Sequence, residues 1–101
     1  MSYAKRVDEN QKAIVADLRE GMPTASVAVT SGAGDGFPDL VVGWRGRTFL
    51  YEVKNPDKPT SGRSLTTAQE KFHAAWKGHI KVVHSAVEIA ADIAEQMAAE
   101  K

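Results

Sequence analysis

Near the middle of the chain, Asp39, Glu52 and Lys54 have side chains suited to phosphate chemistry. Two carboxylates give hard oxygen ligands to a magnesium-type cation, which needs few protein ligands and keeps positions for water and a phosphate oxygen. A neighbouring lysine can orient or deprotonate an attacking water and stabilise the charge that builds on phosphorus. These are the parts for phosphodiester hydrolysis. A Glu-x-Lys triplet by itself carries almost no information, because solvent-facing charges on an edge strand explain it equally well. Four features weigh against that plainer reading when taken together: the glycine-rich stretch 31–36, Pro38-Asp39, the spacing of 13 residues to Glu52, and Glu52-Val53-Lys54 closing a β-rich run.

The elements that must position these residues begin with two β-rich runs, 39–44 and 48–54, separated by Arg45-Gly46-Arg47. An antiparallel hairpin is the simplest connection. If it turns symmetrically about Arg45 and Gly46, Trp44 faces Arg47, Gly43 faces Thr48, and Asp39 faces Glu52; a bulge at Gly46 slips the pairing by one. Alternation along the strand then puts Lys54 on the face of Glu52, with Phe49, Tyr51 and Val53 on the other. Like charges directly opposite on a sheet destabilise it, so facing acids call for compensation, which a divalent cation provides.

Around the hairpin, Val7, Ile14, Leu18 and Met22 recur at helical spacing and predict a helix over 5–20, stopped by Gly21 and Pro23. Residues 26–30 read as a short strand, ended by the glycine-rich turn. That turn lacks the Gly-Lys-Ser/Thr ending of a nucleotide-triphosphate loop and the dinucleotide fingerprint, but its glycines allow a close backbone approach. Residues 55–64 have loop composition and are long for a loop in so small a chain, which favours a binding role. A helix is expected over 66–77 with Gly78 as its stop, a short strand over 80–83, and a last helix with a Ser85/Glu88 capping box. Its apolar stripe would be Val87, Ala90, Ile93, Ala94 and Met97. The order is αβββαβα in one α/β domain spanning 1–101, with a mixed central sheet flanked by helices.

The 101 residues, 43% hydrophobic and 26% charged, suit one ordinary globular core. No apolar run reaches the roughly 20 residues of a membrane helix and no signal-like stretch opens the chain, so a cytoplasmic protein with no membrane partner is expected. With no cysteine, any metal must be held by oxygen or imidazole. Zero formal net charge argues against coating nucleic acid by bulk positive charge, although residues 31–84 carry eight Lys or Arg against five acids. A phosphate-facing centre and chance asymmetry both fit that gradient.

At these residues the sequence resembles the PD-(D/E)xK nuclease superfamily, specifically the small stand-alone VRR-NUC domains common in bacteriophages. Gly36-Phe37-Pro38-Asp39-Leu40 is similar to the first motif, Tyr51-Glu52-Val53-Lys54 to the second, and Leu65-Thr66-Thr67-Ala68-Gln69 to the helix start that follows. The resemblance implies a restriction-endonuclease-like fold. It further implies Mg2+ or Mn2+ held by Asp39, Glu52 and the carbonyl of Val53, with Lys54 catalytic and Gln69 near the site. Relatives cut structured, branched or flapped DNA, sometimes as homodimers shaped like Holliday-junction resolvases, which implies a DNA endonuclease of phage replication or repair in the host cytoplasm. The departure lies in the first helix, where relatives often place an inward glutamate and this chain has Asn10 and Gln11. Asp8 is the best carboxylate candidate there, while Asn10 either holds a ligand or serves as a buried structural amide.

Other residues have competing readings. Gln69 fits both the site and a Thr66-x-x-Gln69 capping box. His73, one turn on, is a candidate phosphate contact, as are Lys58 and Arg63 in the long loop, where Ser61 also lies. His79 and His84 lack metal-ligand spacing and read as surface or strand residues; Trp44 and Trp76 read as core or interface rather than base-stacking residues. The competing function, supported by the irregular first helix, is a noncatalytic nucleic-acid-binding or assembly module that keeps the nuclease fold.

Overall fold

The computed structural model describes residues 9–55 and 64–99. Its elements run α1 (Glu9–Gly21), β1 (Ser26–Val29), β2 (Leu40–Trp44), β3 (Arg47–Val53), α2 (Thr67–Ala75), β4 (Lys81–Val83) and α3 (Ala86–Ala99). The αβββαβα order is the expected one. The hairpin turns on Arg45 (φ 51°) and Gly46 (φ 80°). Two successive positive φ values make a type I′ turn, whose twist matches that of the strands it joins. Pairing runs from Trp44↔Arg47 to Leu40↔Tyr51 without a bulge, which is the symmetric register, and the ladder ends there, one residue short of Asp39 and Glu52.

β1 joins β2 antiparallel and β4 joins β3 parallel, giving a mixed four-stranded sheet in the order β1-β2-β3-β4. On one face Leu40, Val42, Phe49, Tyr51 and Val53 pack with Val83 against Ile14, Val15 and Leu18 of α1 and Ile89 and Ile93 of α3. On the other face, α2 lies over Glu52. β3 is therefore buried on both sides, including Glu52 at 1% exposure. No helix among the described residues is long and apolar enough to cross a membrane.

Several expectations need correction. Val87 is 77% exposed; the inward stripe of α3 is Ala86, Ile89, Ile93 and Met97, with Asp92 buried beside it. Ser85 does cap Glu88 N–H (3.2 Å), but the Glu88 carboxylate accepts from the N–H of His84 (2.9 Å) rather than Ser85. α2 ends at Ala75, before the expected stop at Gly78. Trp76 turns extended (ψ 132°), its indole donating to the carbonyl of His79 (3.1 Å) and stacking on Phe72. Trp76 thus remains 40% exposed, whereas Trp44 packs against the core.

His79 is the larger correction, since it is neither a surface nor a strand residue. Where β3 has no strand partner ahead of Lys81, the N–H of Leu50 donates to His79 Nδ1 (3.1 Å). That acceptor role puts the ring proton on Nε2, which donates to Asp92 Oδ2 (2.7 Å); Tyr51 Oη donates to the same oxygen (2.7 Å). Burial pushes the Asp92 carboxyl up, but hydrogen bonds from Tyr51, His79 and Gln96 outweigh it and hold the group below its ordinary value. Burial first, then the bond to Asp92 and its charge, push the Tyr51 phenol well above its usual range.

Candidate active site

Asp39 is positioned by Thr30, the residue that follows β1. Thr30 donates twice to consecutive carbonyls, from N to Asp39 O (2.7 Å) and from Oγ1 to Pro38 O (2.8 Å), and Pro38 is fully buried. The segment between closes on itself through Ala33 N to Thr30 O and Phe37 N to Gly34 O, each 3.0 Å, around Asp35 (φ 55°) and Gly36 (φ 80°). Gly36 is the close approach that the glycines allowed. A Cβ placed there would lie 2.3 Å from the carbonyl oxygen of Ala68, so the loop presses directly on the first turn of α2. Phe37 meets Phe72 edge-on at 5.4 Å and fixes the same contact from the side.

The N–H of Val53 donates to Asp39 Oδ2 (2.9 Å), which ties the first motif to the second across the strands. Glu52, next along β3, accepts at Oε2 from Gln69 Nε2 (3.0 Å). Lys54 Nζ donates to Gln69 Oε1 (2.9 Å), as does the N–H of Thr66 (2.9 Å), while Gln69 N–H donates to Thr66 Oγ1 (3.2 Å). Gln69 therefore caps α2 and bridges Glu52 to Lys54 at once, and its two readings are one arrangement. The cap fixes the start of the helix, and the helix start fixes the amide between the two charged groups.

These residues line one cleft of about 430 Å³, bounded by the glycine loop, the ends of β2 and β3, and the start of α2. From α1 it is Gln11 that lines the cleft, its Nε2 3.4 Å from Ser31 Oγ; Asn10, the expected helix candidate, is not in the lining. His73 is not in the lining either. Its Nε2 lies 3.7 Å from Glu52 Oε1 with the side chain 15% exposed, so it backs the carboxylate instead of facing phosphate. Burial, then the charge of Lys54, lowers the His73 pKa and favours the neutral ring. Asp8, Lys58, Ser61 and Arg63 lie outside the described residues.

Among the described residues no three His, Asp or Glu side chains stand close enough to share a metal ion. Asp39 and Glu52 remain as two carboxylates in one cleft, with Val53 lining it between them and Lys54. Such a set suits a hard cation that takes one or two carboxylates and completes its shell with water. Comparison of the chain with protein-family models, with curated proteins and with solved structures gives no significant match.

Proposed function

We propose that the chain is a metal-dependent DNA endonuclease of the PD-(D/E)xK type, with a VRR-NUC-like, restriction-endonuclease-like fold, acting on structured or branched DNA. The observation that carries this reading is the bridge Glu52–Gln69–Lys54 beside Asp39 in a single cleft. Asp39 and Glu52 would hold Mg2+ or Mn2+ beside the Val53 backbone, and the ion when bound would supply Lewis-acid polarisation and an acidified water. Lys54 spends one proton on Gln69, which leaves two donors for a phosphate oxygen or the attacking water. Gln69 keeps Glu52 and Lys54 at fixed separation, so little rearrangement is needed when substrate arrives. Thr30 and the Val53 N–H hold Asp39 against rotation out of the cleft.

One observation favours the second reading, a nucleic-acid-binding module without chemistry: α1 offers the cleft an amide, Gln11, in place of a carboxylate. Labelled duplex, flapped, splayed and four-way DNA incubated in Mg2+ or Mn2+ separates the two. The nuclease reading requires cleavage of at least one substrate that disappears with Asp39→Ala, Glu52→Ala or Lys54→Met. Binding of these substrates with no cleavage in either metal would transfer support to the module.

A further inference from the structure

From the lip of the cleft a line of rings leads outward along α2. Phe37 lines the cleft, meets Phe72 edge-on at 5.4 Å, and Phe72 in turn stacks on Trp76 with centroids 5.2 Å apart and planes 19° from parallel. Packing accounts for the first two rings, which are part-buried, but Trp76 keeps 40% of its surface in water. It is nonetheless held in one orientation. One side of the indole rests on Phe72, Nε1 donates to the carbonyl of His79 (3.1 Å), and Gly78 lies so close under Nε1 that a Cβ there would sit 3.0 Å from it. An exposed aromatic fixed in this way loses little freedom when a flat partner stacks on it.

The charge of α2 suits a phosphate-bearing partner. Lys54 stands in the cleft, Lys71 and Lys77 are exposed on and just beyond α2, and Glu70 is the one acid of that helix. Exposed aromatic surface on a segment that also carries free-standing positive charge suits a single strand, since each unpaired base offers a π-face and each phosphate a charge. A duplex keeps its bases stacked on one another and presents no such face.

We infer that Trp76 is a base-stacking residue, and that the Phe37–Phe72–Trp76 side of α2 binds an unpaired DNA segment running out from the cleft. This rests on the nuclease reading for its choice of DNA and for the cleft as the strand's origin.

The test is run on the full chain in EDTA, so that binding is read without cleavage. In a Trp44→Phe background Trp76 is the single fluorophore of its kind, and single-stranded DNA should quench it saturably while blunt duplex of equal length does not. Trp76→Ala should weaken single-strand binding by about 5- to 150-fold, the range for losing one base–aromatic stack, and Trp76→Phe should recover most of it. The quenching measurement leaves Trp76 unchanged, so it decides the matter even if the alanine variant folds poorly. Absence of quenching, or unchanged affinity in a folded Trp76→Ala protein, overturns the inference and leaves the cleft's chemistry untouched. Tighter binding of RNA than of DNA of the same length overturns the assignment to DNA. Quenching by single-stranded DNA in a protein that cleaves nothing in Mg2+ or Mn2+ upholds the stacking surface and counts against the nuclease reading.

Discussion

Replacing Gly36 by alanine tests how tightly the glycine loop and the start of α2 are coupled. Two costs arise. An alanine at φ +80° sits in the left-handed region, at about 1–2 kcal/mol. Its Cβ would also lie 2.3 Å from Ala68 O and 2.6 Å from Ala68 C, both backbone atoms that no rotamer change can move. Relief requires separating loop and helix by about 1 Å, a disruption on the scale of overpacking, or about 1–3 kcal/mol more. Gly34→Ala is the matched control: its φ is +85°, but a Cβ there meets nothing within 4 Å. In urea melts with unchanged slope, Gly34→Ala should lose about 1–2 kcal/mol and Gly36→Ala about 2–5 kcal/mol. The same displacement would carry Gln69 away from Glu52 and Lys54, so cleavage in Gly36→Ala should fall by as much as about 100-fold, beyond the effect in Gly34→Ala. Equal stability losses and equal activities in the two variants would refute the coupling.

Asp92→Asn should cost about 1.5–3 kcal/mol at pH 7, because Tyr51 and His79 lose a charged acceptor. The Asp92 pKa is depressed from 3.8, so its contribution is present above that value and is lost as pH falls through the folded-state pKa; urea melts from pH 7 to 3 should show the gap to wild type closing only in acid. Thr66→Ala should lose about 1 kcal/mol of stability with most activity retained, whereas Gln69→Ala should lose a similar amount and also most of the cleavage rate, as measured by paired melts and turnover. On α3, Val87→Lys should change stability by less than about 0.5 kcal/mol and Ile89→Ala should lose about 2–5 kcal/mol, and the reverse ranking would overturn the helix orientation.

The hairpin and its register were legible because a two-residue turn and period-2 alternation are local signals, and they carried Asp39, Glu52 and Lys54 to one cleft. Gln69 was legible as a capping residue for the same reason; its grip on Glu52 and Lys54 spans 17 and 15 residues and could not be read from spacing. The Tyr51–Asp92–His79 cluster was missed because its bonds join residues 41 and 13 apart, and an aspartate inside a helix reads as solvent-facing. Val87 misled because the alanines around it fit an apolar stripe at more than one rotation of α3, and the isoleucines decide which one packs. α2 ends early through contacts of its own last turn, with the Trp76 ring stacked on Phe72 four residues back and bonded to the carbonyl of His79 three residues on, a local arrangement that apolar periodicity does not signal. The choice between Asn10 and Gln11 depended on the rotation of α1 about its axis, which the stripe of Ile14 and Leu18 left uncertain by one position.

Asp39 and Glu52 are proposed to hold a divalent cation together beside Lys54. Crystals grown from the full chain and soaked in Mn2+, with diffraction collected for anomalous signal, test it most directly. The expected result is an anomalous peak between the two carboxylates at about 2.0–2.2 Å from an oxygen of each, absent in the Glu52→Gln protein. Saturating Mn2+ that leaves this point empty, or a peak bound elsewhere with both carboxylates uninvolved, would contradict the account.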